Sequence, residues 1–149
     1  MVAEFYFFLV EKEPKHKLNE VEEVVYLLLN MLLDIEMEGF VDLFHQLYSL
    51  NECMIVEKSL RQLGFNQLAD LFGEAKSIFI NGRFDITQEE YEQIAPFAYQ
   101  ETQGGRRFDE IGELILAKDS EIYRLGDGLC KFIKSNREFL LKSNAQIEL

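Results

Sequence analysis

Asp34, Glu38, Asp42 and His45 follow one another at intervals of four, four and three residues, so one continuous helix would carry all four on a single face. Three carboxylates and an imidazole are metal ligands, and Asp42-Leu43-Phe44-His45 has the form of the acid-x-x-His half of a helical-bundle metal site. A complete two-metal site needs a matching second motif, which the chain lacks, and Gly39 interrupts the run. The same residues also suit a solvated acidic stripe. With His16 in a polar stretch, any histidine mechanism must run through His45, the other of the two histidines. The two cysteines, Cys53 and Cys130, each fall inside a helical apolar pattern, where a thiol is a packed small side chain rather than an activated nucleophile. Two distant thiols point to reduced cysteines of an intracellular protein, with one disulfide as the other option. No phosphate loop, dinucleotide fingerprint or Cys/His zinc spacing occurs. Neither a catalytic set nor a cofactor or metal is therefore expected.

Carboxylates are the other chemistry the chain offers. Its 149 residues hold 27 Asp and Glu against 15 Lys and Arg, a formal net charge of −12. Residues 1–50 carry ten acids against three bases, residues 51–100 eight against four, and the remainder nine against eight. Such a field repels nucleic acid and anionic membrane and attracts basic protein surfaces. Glu13, Glu20, Glu23, Glu36, Glu38 and Asp42 form one candidate partner-binding group, and Glu89, Glu90 and Glu92 a second. Glu20, Glu22, Glu23, Glu89, Glu90 and Glu92 also suit the positive ends of helix dipoles, an alternative role for each. Arg106-Arg107 is the one adjacent basic pair before the C-terminal helix, where Lys131, Lys134, Arg137 and Lys142 take neighbouring helical positions. Those cations are expected near a helix C-terminus or in ion pairs, and direct nucleic-acid binding is not expected.

The elements that must position these groups are helical. Hydrophobic residues at 48%, with thirteen Phe and six Tyr, supply a core, so the acidity is not that of a disordered tail. A chain this long buries roughly 68–70% of its unfolded surface. Asn19 with Glu22 forms a variant capping box, followed by a helix to about residue 37 on Val21, Val24, Val25, Leu28, Leu29, Leu32 and Ile35. Gly39 bends or ends it. Phe40, Leu43, Phe44, Leu47 and Tyr48 mark a second helix; Asn51 is a cap for a third, closed by Gly64; Asn66 opens a fourth. Asn81-Gly82 has the form of a hairpin turn, but the preceding apolar run continues a helical stripe, and a helix stop is the favoured reading. Thr87 and Glu90 make a capping box for a fifth helix to about Gln100, with Pro96 as a kink; Gln103-Gly104-Gly105 reads as a mobile loop; and the stretch from Phe108 to about Lys142 is helical with a break at Asp119 or Ser120.

No period-two segment appears after residue 18, so the fold class is all-α, a single domain over 1–149 of about six or seven helices. Residues 1–18 form an apolar N-terminal segment and polar linker, and 19–143 the helical core. The segment Met1–Val10 is helix or strand; it lacks a basic n-region and a small-residue cleavage site and is too short to span a bilayer, so the expected location is cytoplasmic. Its Phe5, Tyr6, Phe7 and Phe8 need cover from the domain's own core or from a second copy in a homodimer.

Gly39-Phe40 with Leu43-Phe44, Leu63-Gly64-Phe65, Ala69, Leu71 and Ala75 to Phe79, and then Phe108-Asp109-Glu110, Asp119, Tyr123, Asp127, Leu129, Phe132-Ile133 and Asn136, resemble a bacterial helical family, largely of unknown function. The resemblance covers residues 20–140, and its motifs are structural rather than catalytic. The family's best-known member is a DNA mimic that acts as an antirepressor. The usual Asn-Gly-Gly-Phe turn and its Gln-aromatic pair are replaced here by Glu36-Met37-Glu38-Gly39-Phe40 and Asp42-Leu43. The resemblance implies a DNA mimic. The expected function is a non-enzymatic, cytoplasmic interaction protein whose acidic surface engages a basic partner, a DNA-binding protein among the options. A metal-dependent enzyme using Asp34, Glu38, Asp42 and His45, and a helical protein whose partner ignores the acidic face, are the alternatives.

Overall fold

In the computed structural model residues 18–37 and 40–142 are described, the side chains of 36, 37, 46, 47 and 140–142 excepted. The expectations about the segment 1–10, the linker, Glu13, His16, Glu38 and Gly39 lie outside those residues. The described chain is all-α: α1 (Glu20–Met37), a π-helical turn (Leu43–Leu47), α2 (Leu50–Gln62), α3 (Asn66–Phe79), α4 (Gln88–Glu92), a 3₁₀ turn (Ala98–Glu101), α5 (Gly105–Leu116), α6 (Ile122–Ser135) and α7 (Arg137–Lys142). No helix among the described residues is long and apolar enough to cross a membrane.

Local chemistry accounts for most boundaries. Asn19 and Glu22 exchange backbone-to-side-chain bonds of 2.9 and 3.2 Å, the reciprocal box expected at the start of α1. The start of α2 corrects the sequence reading: the cap is Ser49, not Asn51, in a full box with Glu52. Gly64, at φ +90°, closes α2, and Asn81 and Gly82, at φ +52° and +69°, stop α3 rather than turning a hairpin.

The second and fifth helices expected from periodicity are shorter than their patterns. After Val41 and Asp42 the chain widens into one π turn, closed by Tyr48 N–H donating to the Leu43 carbonyl at 3.1 Å. The wide turn brings both Leu43 and Phe44 to full burial, and the Tyr91 hydroxyl donates to the Phe44 carbonyl at 2.6 Å. Helix α4 ends at Glu92, and Pro96 separates it from the 3₁₀ turn instead of kinking a longer helix, because a proline disfavours helical conformation in the residue before it.

Gly104-Gly105 is a point of close approach, not a mobile loop. A Cβ on Gly105 would stand 2.6 Å from the Tyr99 carbonyl oxygen, and one on Gly104 3.0 Å from the Ile78 side chain. The stretch from Phe108 breaks at 117–121, where the Ser120 hydroxyl accepts from Ile122 N–H at 3.3 Å.

Helices α1, α2, α3 and α5 pack in succession, and α6 and α7 lie against α1. Phe44 sits at the centre, with Phe40, Phe72, Phe79 and Phe108 at ring-centroid distances of 5.2, 5.1, 5.5 and 6.1 Å. Tilted and edge-on aromatic pairs of this kind each contribute about 0.5–1.5 kcal/mol beyond area burial. This centre is the platform on which the surface elements stand.

Candidate functional site

Helix α4 is too short to hold its shape alone, since isolated helices under about 12–15 residues are marginal. Long-range contacts fix it instead. Gln88 Oε1 accepts from Leu50 N–H at 2.9 Å, capping α2 from a distance of 38 residues in sequence. Tyr91 is buried, its ring lies 5.8 Å from that of Phe79, and its hydroxyl reaches Phe44. The Cys53 Sγ stands 3.6 Å from the same hydroxyl. Burial pushes the Cys53 thiol from its usual 9.0 up to about 11, and burial also raises the Tyr91 phenol. Both groups stay protonated and neutral in the fold. Cys53 and Cys130 are free thiols, and Cys53 is a buried packing residue, as expected.

The outer side of this segment carries the second acidic group. Thr87 Oγ1 accepts from Glu90 N–H at 3.1 Å, and the Thr87 hydroxyl donates to the Glu90 carboxylate. The other oxygen of Glu90 takes the Arg83 guanidinium, so this carboxylate is half neutralised and ties the 81–86 loop to α4. Glu89 and Glu92 are exposed and have no ion-pair partner among the described residues; Glu92 only accepts from Gln88 at 3.1 Å. Asp85, which the sequence reading did not select, belongs with them: it is exposed and unpaired among the described residues. The signal was the Asn81-Gly82 stop, after which residues 83–85 are exposed before Ile86 returns to the core.

The first acidic group is less coherent. Glu20 is exposed on the first turn of α1, whereas Glu23 and Asp42 are half-buried. Glu36 lies in the last turn of α1 with its side chain outside the described set, and Glu13 and Glu38 lie outside it altogether. No three His, Cys, Asp or Glu side chains converge to hold a metal ion among the described residues. His45 is half-buried in the π turn, and its Nδ1 has no hydrogen-bond partner among them.

Other acids are consumed by pairing. Glu57 on α2 takes Lys76 at 3.2 Å and Arg61 at 3.4 Å, and a Cβ on Gly73 would come within 2.6 Å of its carboxylate. Asp70 takes Arg61 at 2.7 Å. Glu74 receives Arg107 in a two-point contact of 2.7 and 3.1 Å, which holds its carboxyl below the usual carboxylate range. Glu110 lies 3.6 Å from Arg107 and 3.8 Å from Arg106. Of the adjacent basic pair, Arg107 is thus engaged within the chain, whereas Arg106 is exposed.

The described residues thus form an all-helical domain with exposed carboxylates along the 81–92 segment. The family described as DMP19-like protein matches residues 16–136, and the chain belongs to that family, whose name refers to DNA mimic protein 19. No curated protein and no solved structure matches the chain.

Proposed function

We propose that this protein is a non-enzymatic, cytoplasmic DNA mimic whose acidic surface occupies the basic DNA-binding face of a protein partner. The observation that carries the reading is the set of exposed carboxylates without an ion-pair partner among the described residues, Glu89 and Glu92 with Asp85 and Glu20, on a chain of the DMP19-like family. Residues three apart on a helix stand about 5–6 Å apart at Cβ, so Glu89 and Glu92 offer two negative charges at a fixed separation to Lys and Arg side chains that ordinarily hold phosphates. The other candidates, Glu13, Glu23, Glu36, Glu38, Glu90 and Asp42, extend the same negative field.

The test is capture of partners from the native cell at low and at high salt, followed by competition. A captured DNA-binding protein should be displaced from this chain by duplex DNA, and capture should weaken as salt rises, since exposed charge pairing is screened. Partners that are not basic, or binding indifferent to salt, would sink the proposal.

A further inference from the structure

Phe84 is 77% exposed, the most exposed large apolar side chain among those described. Phe97, at 60%, at least leans on Tyr99, with ring centroids 6.5 Å apart. Nor does Phe84 hang from a loose chain. Gly82 N–H donates to Ser77 O at 2.8 Å, Arg83 N–H to Ile80 O at 3.1 Å and Ile86 N–H to Arg83 O at 3.0 Å. Asn81 and Gly82 hold consecutive left-handed conformations, Ile86 is buried in the core, and Arg83 binds Glu90 across the loop. A phenyl ring is therefore presented to solvent on a loop bonded at both ends.

Its surroundings specify what fits it. Asp85 adjoins it in sequence, and Glu89 lies next to Glu90, the residue that grips the loop; both acids are exposed. The cation adjoining it in sequence, Arg83, is engaged by Glu90. An exposed aromatic side chain on a loop that also carries exposed acids, without an ion-pair partner among the described residues, has the elements of a protein-binding hot spot, where a buried aromatic anchor supplies affinity and a polar rim supplies orientation. Holding the anchor in place beforehand lowers the ordering cost of binding.

We infer that Phe84 is an aromatic anchor that inserts into an apolar recess of a basic protein partner, with Asp85, Glu89 and Glu92 pairing with the Lys and Arg residues around that recess. This rests on the proposed acidic docking surface and adds to it a contact that no phosphate backbone makes, one that distinguishes the partner from an arbitrary polycation.

The chain contains no Trp, so Phe84→Trp installs a single fluorescent reporter at the anchor. Two synthetic helical peptides of identical Lys and Arg content serve as probes, one with a Leu and Ile stripe and the other with Ser in those places. Reporter emission is expected at the water-exposed limit in the free protein, moving to shorter wavelength with the Leu peptide and not with the Ser peptide. Phe84→Ala should weaken the Leu peptide about tenfold and leave the Ser peptide unchanged. If both peptides bind at low salt but neither responds to Phe84→Ala, the anchor is refuted while the acidic surface stands. If neither binds, the electrostatic reading fails and the anchor with it. Reporter emission already shielded in the free protein at every concentration would show that the chain itself covers the site. Shielding that grows with protein concentration would assign it to a second copy. Either overturns the inference.

Discussion

Two acidic regions of this molecule differ in what their carboxylates face. Across α2, α3 and α5, Glu57, Asp70 and Glu74 each meet a cation, and the ribbon from Lys76 through Glu57, Arg61 and Asp70, with Glu74 and Arg107 beside it, is nearly self-neutral. Along the 81–92 segment a single cation, Arg83, is taken by Glu90, and Asp85, Glu89 and Glu92 face solvent without one among the described residues. Net charge is a property of the whole chain; available charge is local. The first region uses its acids to join helices, and the second leaves them exposed, where the proposed partner would meet them.

The largest expected effect strikes the platform both regions share. Phe44→Ala removes the ring that four other Phe rings surround, and such truncations cost about 3–5 kcal/mol. Chemical denaturation should show that loss in full, with both surfaces failing together because neither has a core of its own.

Alkaline pH gives the next effect. Burial raises the Cys53 thiol to about 11 from 9.0, so the folded state holds this proton more tightly than the unfolded chain does. The associated stability is complete below pH 9 and is lost as pH rises toward 11. That shift corresponds to a contribution on the order of 2–3 kcal/mol. The raised Tyr48 and Tyr91 phenols push in the same direction. Denaturation between pH 7 and 11 should show a plateau and then a decline, and Cys53→Ala should flatten its first part.

Smaller effects separate the regions. Arg107→Ala breaks a two-point contact between solvent-screened groups and should cost little at low salt and less at high salt. The depressed Glu74 carboxyl carries that contribution above its unfolded pKa and loses it as pH falls through the lower folded value, so Arg107→Ala should narrow the acid-side difference from wild type. Glu89→Gln with Glu92→Gln should change stability by less than about 0.5 kcal/mol, as surface substitutions away from structural contacts do. A loss comparable to Phe44→Ala there would mean that these acids hold the fold.

How much of this was legible in the residues depends on how local each cause is. The Asn19–Glu22 box, the Thr87 cap and the stops at Gly64 and Gly82 each rest on residues close in sequence and read correctly, although the Glu90 carboxylate takes the Thr87 hydroxyl and Arg83 instead of completing a box. Ser49 with Glu52 has the same local spacing, and Asn51, the cap expected from the sequence, falls inside the first turn of α2. Gly104-Gly105 read as a loop because glycine's permissiveness is a local property, whereas the close approach to Tyr99 is tertiary. The α3 N-terminus, capped by Glu121 at Leu68 N–H from 53 residues away, and the π turn, supported by Tyr91, carry no local signal at all. The acidic candidates were legible as composition. Which of them retain free charge was not, because pairing is decided by packing: Glu90 is engaged, Glu89 and Glu92 are not, and Asp85 was missed.

The central claim is that free carboxylates of the 81–92 rim, not total acidity, bind a basic partner. Two triple variants of equal charge change test it most directly: Asp85→Asn with Glu89→Gln and Glu92→Gln, against Glu57→Gln with Asp70→Asn and Glu74→Gln. Affinity for a basic DNA-binding protein captured from the native cell is measured for each across a salt series. The account predicts that the rim variant loses about tenfold or more in affinity and most of its salt dependence, while the ribbon variant, once shown to be folded, binds close to wild type. Equal losses from both variants would show that only net charge matters and would contradict it.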